Sequence, residues 1–307
     1  MRQNHKRIRP HSLGPFDYTQ EVYTPLLWVM EGFTTYYDVI LLRRAGFISE
    51  RRCLEMLAER IGSYRHQPGR LVQSLEESSL TAWTKFYRQD ENYVNTGISY
   101  YLKGGLVALT LDLEIRDRTE NRKSLDDVLR YLWQEYGRRE VGFTGEQFEQ
   151  VVTEVGEIEF EPYSRRFLRG VEELPLEEAV ERAGLRLDSR AKEGGPRGWT
   201  GLLLKSDSGG VVRSVLRESP AEAGGLMAGD RLLAIDGYEI RDEKFLTARL
   251  REREPGESIT LHLFRYGLLM ERSIVLGEAP PESVTLRPVE NPSPLQRRIY
   301  ESWLGRA

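Results

Sequence analysis

A single carboxylate constrains this chain more than any other residue. Glu31 lies in LLWVMEGFTTYYDVILLRR, residues 26–44, which reads as one nearly all-apolar helix. Thr24 can cap it, Pro25 suits its first turn and Gly46 can end it. Between Pro25 and Leu42 the only charged side chains are Glu31 and Asp38, seven residues apart and so on one helix face. An isolated buried carboxylate is costly, so it is paired, protonated or bound to a metal. The helix alone leaves two readings open: an ion pair with Lys6, Arg7 or Arg9, or a metal ligand.

The rest of the chain excludes several classes. With 39% hydrophobic and 30% charged residues it can build a core, and 307 residues allow two domains. A net charge of -4 gives no general pull toward nucleic acid or an anionic membrane. No apolar run is long enough to span a bilayer, and no apolar segment follows the basic N-terminus as in a signal peptide. The sequence leaves cytoplasm and periplasm both open. Cys53, the single cysteine, rules out an internal disulfide and reads as a core filler. His5, His11, His66 and His262 form no His-x-x-x-His pair and read as surface or structural residues.

Residues 16 to about 185 read as helical, with Ser49 capping ERRCLEMLAERIGSY. Capping boxes at Ser124/Asp127 and Thr144/Gln147 open two more helices. The loop DSRAKEGGPRG marks a change to short strands, among them GLLLKS, GGVVRSVL, RLLAIDG, SITLHLFRYG and LLMERSIVLG, interrupted by one helix, DEKFLTARLRERE. The expected division is 1–185 helical, 186–278 strand-rich and 279–307 a proline-rich tail ending in a short amphipathic stretch.

The strand-rich part resembles a bacterial-type PDZ domain. The resemblance rests on Ser219, Pro220 and Ala221, then Gly225 and Leu226, Gly229 and Asp230, and a strand ending in Asp236–Gly237. A short helix ending at glycine and a tight Asp-Gly turn fit this run. PDZ domains take a peptide C-terminus as an added strand. The resemblance implies a carboxylate-binding loop of Gly198, Trp199, Thr200 and Gly201 leading into Leu202, and a second groove wall bearing Phe245 and Arg249. The expected partner is a peptide or protein C-terminus; the alternative is a groove filled by the protein's own chain or degenerate.

The helical part resembles the glycyl aminopeptidases (metallopeptidase family sixty-one). Asn4 with Lys6–Pro10, Pro15–Tyr18 and Leu27–Tyr37 follow that family's runs in order, and the segments ESSLTAWTKFYRQDENYVNTGISYYLKGGLVALTLDLEIR and SLDDVLRYLW are similar to its central helices. The family also places a PDZ domain after the helical domain. The implied fold class is multidomain α+β: the helical C-terminal part of a thermolysin-like (gluzincin) catalytic domain, then a PDZ-like β domain. The resemblance makes Glu31 the third zinc ligand, which would explain a carboxylate on an apolar helix. It makes Tyr101, in Tyr101-x-Lys103-Gly104, the phenol that stabilises a tetrahedral oxyanion; the alternative is a core aromatic. Asp38 becomes a candidate for orienting a histidine ligand, with an arginine partner as the other reading.

What the resemblance lacks sets the expected function. The family's His-Glu-x-x-His should lie just upstream of Lys6, and counting back puts its second histidine at Met1. Three protein ligands are the rule for catalytic zinc, and a base must take the proton from its water. The expectation is therefore the C-terminal portion of a zinc aminopeptidase acting on peptides with small N-terminal residues, with zinc in the intact parent, none held by this chain alone, and no activity. The alternative is a non-catalytic PDZ-bearing binding module. A hydrolase using Ser78, Ser79 or Cys53 is set aside, because no histidine pairs with them in the pattern.

Overall fold

The computed structural model describes residues 7–190, 197–206, 209–281 and 283–305. His5, the Asn4–Lys6 part of the first motif, and the middle of the expected loop, 191–196, lie outside the described residues.

The Glu31 segment is not one plain α-helix. It opens with a π-helical turn, Trp28–Gly32, and continues as α1, Phe33–Arg44. Thr24 Oγ1 accepts from the Leu26 amide at 3.3 Å. Gly46, at φ 78°, ends the helix: Phe47 N bonds Leu42 O and Gly46 N bonds Arg43 O, the two bonds of a Schellman stop. Helix α2, Glu50–Arg65, is capped by Ser49 as expected. After it come α3, Leu75–Leu80; a second π-turn, Ala82–Phe86; α4, Tyr93–Thr96; and α5, Tyr100–Arg118. Helix α5 is buried on nearly every side, which is why its sequence shows a broad apolar middle and no single stripe. Helices α6, Leu125–Leu132, and α7, Gly145–Gly156, both begin with the capping boxes expected for them. Two short helices follow, α8, Phe160–Tyr163, and α9, Leu176–Glu181.

The strand-rich part begins with β1, Leu185–Arg190, then β2, Gly198–Trp199, β3, Leu202–Leu204, and β4, Val212–Val215. Helix α10, Pro220–Ala223, separates these from β5, Arg231–Ile235, and β6, Tyr238–Glu239. Helix α11, Glu243–Arg251, leads into β7, Ser258–Arg265, β8, Leu268–Val275, and β9, Gly277–Glu278. Asp236 (φ 49°) and Gly237 (φ 80°) make the tight turn between β5 and β6, where both central residues need positive φ. The antiparallel sheet β6-β5-β7-β8 and the β3–β4 pair enclose a second core that includes Val212, Leu232, Leu261, Leu263 and Ile274.

The expected tail is a correction. Residues 283–304 return to the helical body as β10, Ser283–Pro288, and α12, Pro294–Leu304. Strand β10 pairs antiparallel with β1, from Leu185↔Pro288 to Arg190↔Ser283. Leu286, Ile299, Trp303 and Leu304 join the helical core. Trp303 Nε1 donates to Tyr36 Oη at 2.7 Å, Tyr36 Oη donates to Asp112 Oδ2 at 2.5 Å, and Asp112 Oδ1 receives Arg116 Nε at 3.1 Å and the Leu125 amide at 2.9 Å. Such a fully partnered buried network fixes one arrangement of the elements that contribute to it. The strand-rich domain is thus inserted into the helical body. Prolines around 280–294 hide the strand in the sequence, and a lone tryptophan near the end does not announce which core receives it.

Candidate functional site

Glu31 is carried by the π-turn, whose other members Trp28, Val29, Met30 and Gly32 are buried while its own side chain is half-buried. Single π-turns inside helices recur at functional sites because they re-aim one side chain. Helix α5 crosses this turn at a pair of glycines. A Cβ on Gly32 would lie 2.5 Å from the carbonyl carbon of Gly104, and one on Gly104 would lie 3.0 Å from Gly32 Cα. With no side chains between them the backbones nearly touch, and the Glu31 carboxylate lies close enough for its field to act on the Tyr101 phenol.

Tyr101 is half-buried in an aromatic cluster, 4.6 Å from Tyr100 and 5.8 Å from Phe86 between ring centroids. Burial first, then the hydrogen bond with Tyr87 and the field of the Glu31 carboxylate, hold its phenol well above the ordinary tyrosine range. It stays protonated at neutral pH and can donate a hydrogen bond. Tyr87 Oη meets Tyr100 Oη at 3.0 Å, and Trp83 stands 5.8 Å from Tyr87. Tyr23, Trp83 and Tyr87 are exposed.

Most of the other residues weighed from the sequence have partners of their own, and Ser79 Oγ accepts from the Trp28 amide of the Glu31 turn at 3.1 Å. Asp38 binds Arg60 through both oxygens, at 2.9 and 3.2 Å, and half of its side chain is exposed, so the arginine reading holds for it. His66 Nδ1 meets Gly62 O at 2.6 Å, and His262 faces Glu271 at 3.1 Å. Ser78 and Ser79 are buried and bonded to the carbonyls of Ile98 and Leu75. Cys53 is fully buried, and its thiol is pushed up to about 11 by burial. Among the described residues no group of three His, Cys, Asp or Glu side chains could hold a metal ion. The described donor set therefore does not fit a catalytic zinc.

Sequence reasoning missed Lys103. It is fully buried in the middle of the Tyr-x-Lys-Gly run, its Nζ has no hydrogen-bond partner, and burial lowers its pKa to about 8. Its presence in the run is visible in the sequence; its burial without a partner is not.

In the strand-rich domain, Thr200 and Gly201 turn the chain from β2, Gly198–Trp199, into β3. Gly201, at φ 78°, could carry no side chain, because a Cβ would lie 2.2 Å from Ser219 Cβ. Its carbonyl accepts from Leu216 N at 2.8 Å, while Thr200 O accepts from Ala221 N at 2.9 Å and Thr200 Oγ1 from Leu202 N at 3.2 Å. Gly198 and Trp199 pair with β9. Among the described strands β3 pairs only with β4, leaving its other edge for an added strand. Leu202 and Phe245 are half-buried against the second core. Arg249 lies on α11, where its guanidinium stands 4.2 Å from the Tyr238 ring centroid and bonds Glu252 at 2.6 Å. A second missed residue, Asn95, joins the two cores. Its amide donates to Val215 O at 2.7 Å and accepts from Arg217 N at 2.9 Å, gripping the chain on both sides of Leu216.

Comparison with known proteins matches both parts of the chain. Residues 2–107 match the family model described as M61 glycyl aminopeptidase, and residues 174–263 match that of the PDZ domain. The crystal structure of an aminopeptidase N family protein from Idiomarina loihiensis is similar at a TM-score of 0.90 and 30% identity, over 98% of this chain and 52% of that one. Probable periplasmic serine endoproteases, DegP-like, from Ectopseudomonas mendocina and Brucella suis are 27% identical over 103 and 108 residues, which is 29% and 31% of this chain and 22% and 21% of theirs. The chain spans about half the length of the Idiomarina protein and about a fifth of the endoproteases. It carries an M61 glycyl aminopeptidase segment at residues 2–107 and a PDZ domain at 174–263, the two families that its motifs resemble.

Proposed function

We propose that this chain carries part of the centre of a zinc-dependent, thermolysin-like aminopeptidase, acting on peptides with small N-terminal residues, together with a PDZ domain that binds polypeptide C-termini. One observation supports this above others: the Gly32–Gly104 crossing brings Glu31 and Tyr101, far apart in sequence, to one place. Tyr101 keeps its proton and suits donation to an oxygen that gains charge as a carbonyl becomes tetrahedral. Glu31 suits one ligand position. A single carboxylate does not retain a catalytic zinc, so residues 1–307 by themselves hold none and turn over no peptide.

Two measurements test this. In the Idiomarina loihiensis protein, the residues that superpose on Glu31 and Tyr101 are changed to Gln and Phe. Loss of metal in the first and a fall in kcat of about a hundredfold or more in the second are expected; unchanged kinetics in both refutes the site assignment. For the 307-residue chain, elemental analysis after dialysis and a glycyl-anilide assay should show neither zinc nor turnover. Stoichiometric zinc or measurable turnover would sink the inactivity.

The free β3 edge and the Gly201 turn favour a second reading for the chain alone, that of a peptide-binding module. A peptide with a free C-terminus should bind it measurably tighter than its C-amide by calorimetry. Equal affinities would rule out carboxylate recognition.

A further inference from the structure

We infer that the peptide groove of the PDZ domain is completed by the helical body: Asn95, on α4, is a positioning residue for the turn that receives a peptide's terminal carboxylate. The inference rests on the peptide-binding reading above and adds to it a residue from the other family segment, 2–107. Strand β3, whose outer edge is open, is held among the described strands by β4 alone. Past the end of that pair, Leu216 N still donates to Gly201 O at 2.8 Å. On the opposite edge of β4, at this point, no described strand is paired. The buried Asn95 side chain stands there instead, with Nδ2 donating to Val215 O at 2.7 Å and Oδ1 accepting from Arg217 N at 2.9 Å. A carbonyl and the amide two residues on are the groups that one residue of a parallel strand would bond, so the carboxamide acts as a strand one residue long. The second Nδ2 hydrogen goes to Asn92 Oδ1 at 2.9 Å. A flipped amide would set donor against donor at Arg217 and acceptor against acceptor at Val215, so the orientation is fixed.

What Asn95 holds in place is a pair of amides. The Leu216 bond sets the plane of the Gly201–Leu202 peptide, and the bond from Ala221 N to Thr200 O, at 2.9 Å, sets that of Thr200–Gly201. In a trans peptide the N–H points opposite to the C=O. The Leu202 amide therefore faces away from β4, and the Gly201 amide away from α10. Leu202 N reaches Thr200 Oγ1 at 3.2 Å, whereas Gly201 N, on a buried residue, has no acceptor among the described residues. A buried amide left without an acceptor is costly, and a terminal carboxylate lying along the open β3 edge supplies one. If Asn95 is lost, Val215 O and Arg217 N lose their partners. The end of β4 is then free to shift, and it takes Leu216 and the Gly201 plane with it.

The test is calorimetry on the full 307-residue chain with an N-acetylated peptide of about eight residues ending in valine, as the free acid and as the C-amide. Valine suits an added strand and the apolar Leu202 and Phe245. The parent should prefer the acid. Asn95→Ala, and the near-isosteric Asn95→Asp, which turns the donor to Val215 O into a repelling oxygen, should weaken binding of the acid about tenfold. The amide should keep its affinity within about twofold, because its contacts along β3 do not use the carboxylate. Asn92→Ala, an exposed change that removes only the brace on Asn95, should weaken binding of the acid about two- to threefold and serves if the Asn95 variants do not fold. A general loosening of the domain would lower acid and amide together, so the loss of preference is the signature of positioning. Acid affinity unchanged in the variants, or amide affinity falling in step with it, overturns the inference and leaves the peptide-binding reading standing. A parent that binds acid and amide alike overturns that reading, and the inference with it.

Discussion

Replacing Gly32 by alanine tests the crossing on which the Glu31–Tyr101 site rests. The added Cβ would sit 2.5, 2.6 and 2.9 Å from the carbonyl carbon, Cα and carbonyl oxygen of Gly104. Carbon contacts are comfortable at about 3.5–4.0 Å, so the helices must separate by roughly 1 Å. All three obstructing atoms are backbone, so no side chain can rotate away. Overpacking of this kind costs about 3 kcal/mol, against a gain of about 1 kcal/mol from replacing a helical glycine, a net loss of about 2 kcal/mol. Gly104→Ala meets its neighbours at 3.0, 3.0 and 3.2 Å, a misfit of a few tenths of an ångström. There the helix-propensity gain nearly cancels the strain, and stability should stay within about 1 kcal/mol of the parent. Urea unfolding followed by tryptophan emission measures this, since Trp28, Trp83, Trp133 and Trp303 lie in the helical body and only Trp199 in the PDZ domain. With a slope of roughly 3 kcal/mol per molar urea, G32A should lower the midpoint by about 0.7 M. If G32A is as stable as the parent, or G104A loses more than G32A, the reasoning is wrong.

Lys103→Met should stabilise the protein at pH 7. The drop in its pKa from 10.5 to about 8 corresponds to roughly 3 kcal/mol of penalty on the charged form. Because the folded pKa lies below the unfolded one, that penalty is fully present below about pH 8 and fades as pH rises toward 10.5. The stability difference between variant and parent should therefore shrink across that window in urea titrations; a constant difference would refute the assignment. Cys53, with its thiol near 11 and buried, should react with a disulfide reagent at pH 8 at least about a hundredfold more slowly in the native protein than in urea. Equal rates would place it at the surface.

Features that depend on a few neighbouring residues were legible in the sequence. The caps at Ser49, Ser124 and Thr144, the Gly46 stop and the Asp236–Gly237 turn each depend on residues within about a turn of one another. The same holds for the PDZ run from Ser219 to Gly237. What escaped depends on distant partners. A single π-turn, Trp28–Gly32, leaves no mark on apolar periodicity. The contact of Gly32 with Gly104 joins two glycines that each look like ordinary helix residues. Asp38 shares an apolar helix with Glu31, yet its environment is set by Arg60 on another helix. Asn95 lies in a polar, turn-rich stretch that gives no hint that it reaches Val215 and Arg217. The sequence showed two acids on one helix, and only the tertiary neighbours distinguish their surroundings, Arg60 for Asp38 and Tyr101 for Glu31.

Trp303 closes over Tyr36 near the end of the chain, and this orders events during synthesis. The ribosome delivers the α1 segment well before α12, so the polar cluster around Asp112 stays incomplete until Trp303 emerges. By then the inserted PDZ domain, with its own apolar centre, can already have condensed. A nascent chain stalled near residue 280 should therefore present a compact PDZ module tethered to an unfinished helical body, with the Glu31 turn among the last parts to become rigid.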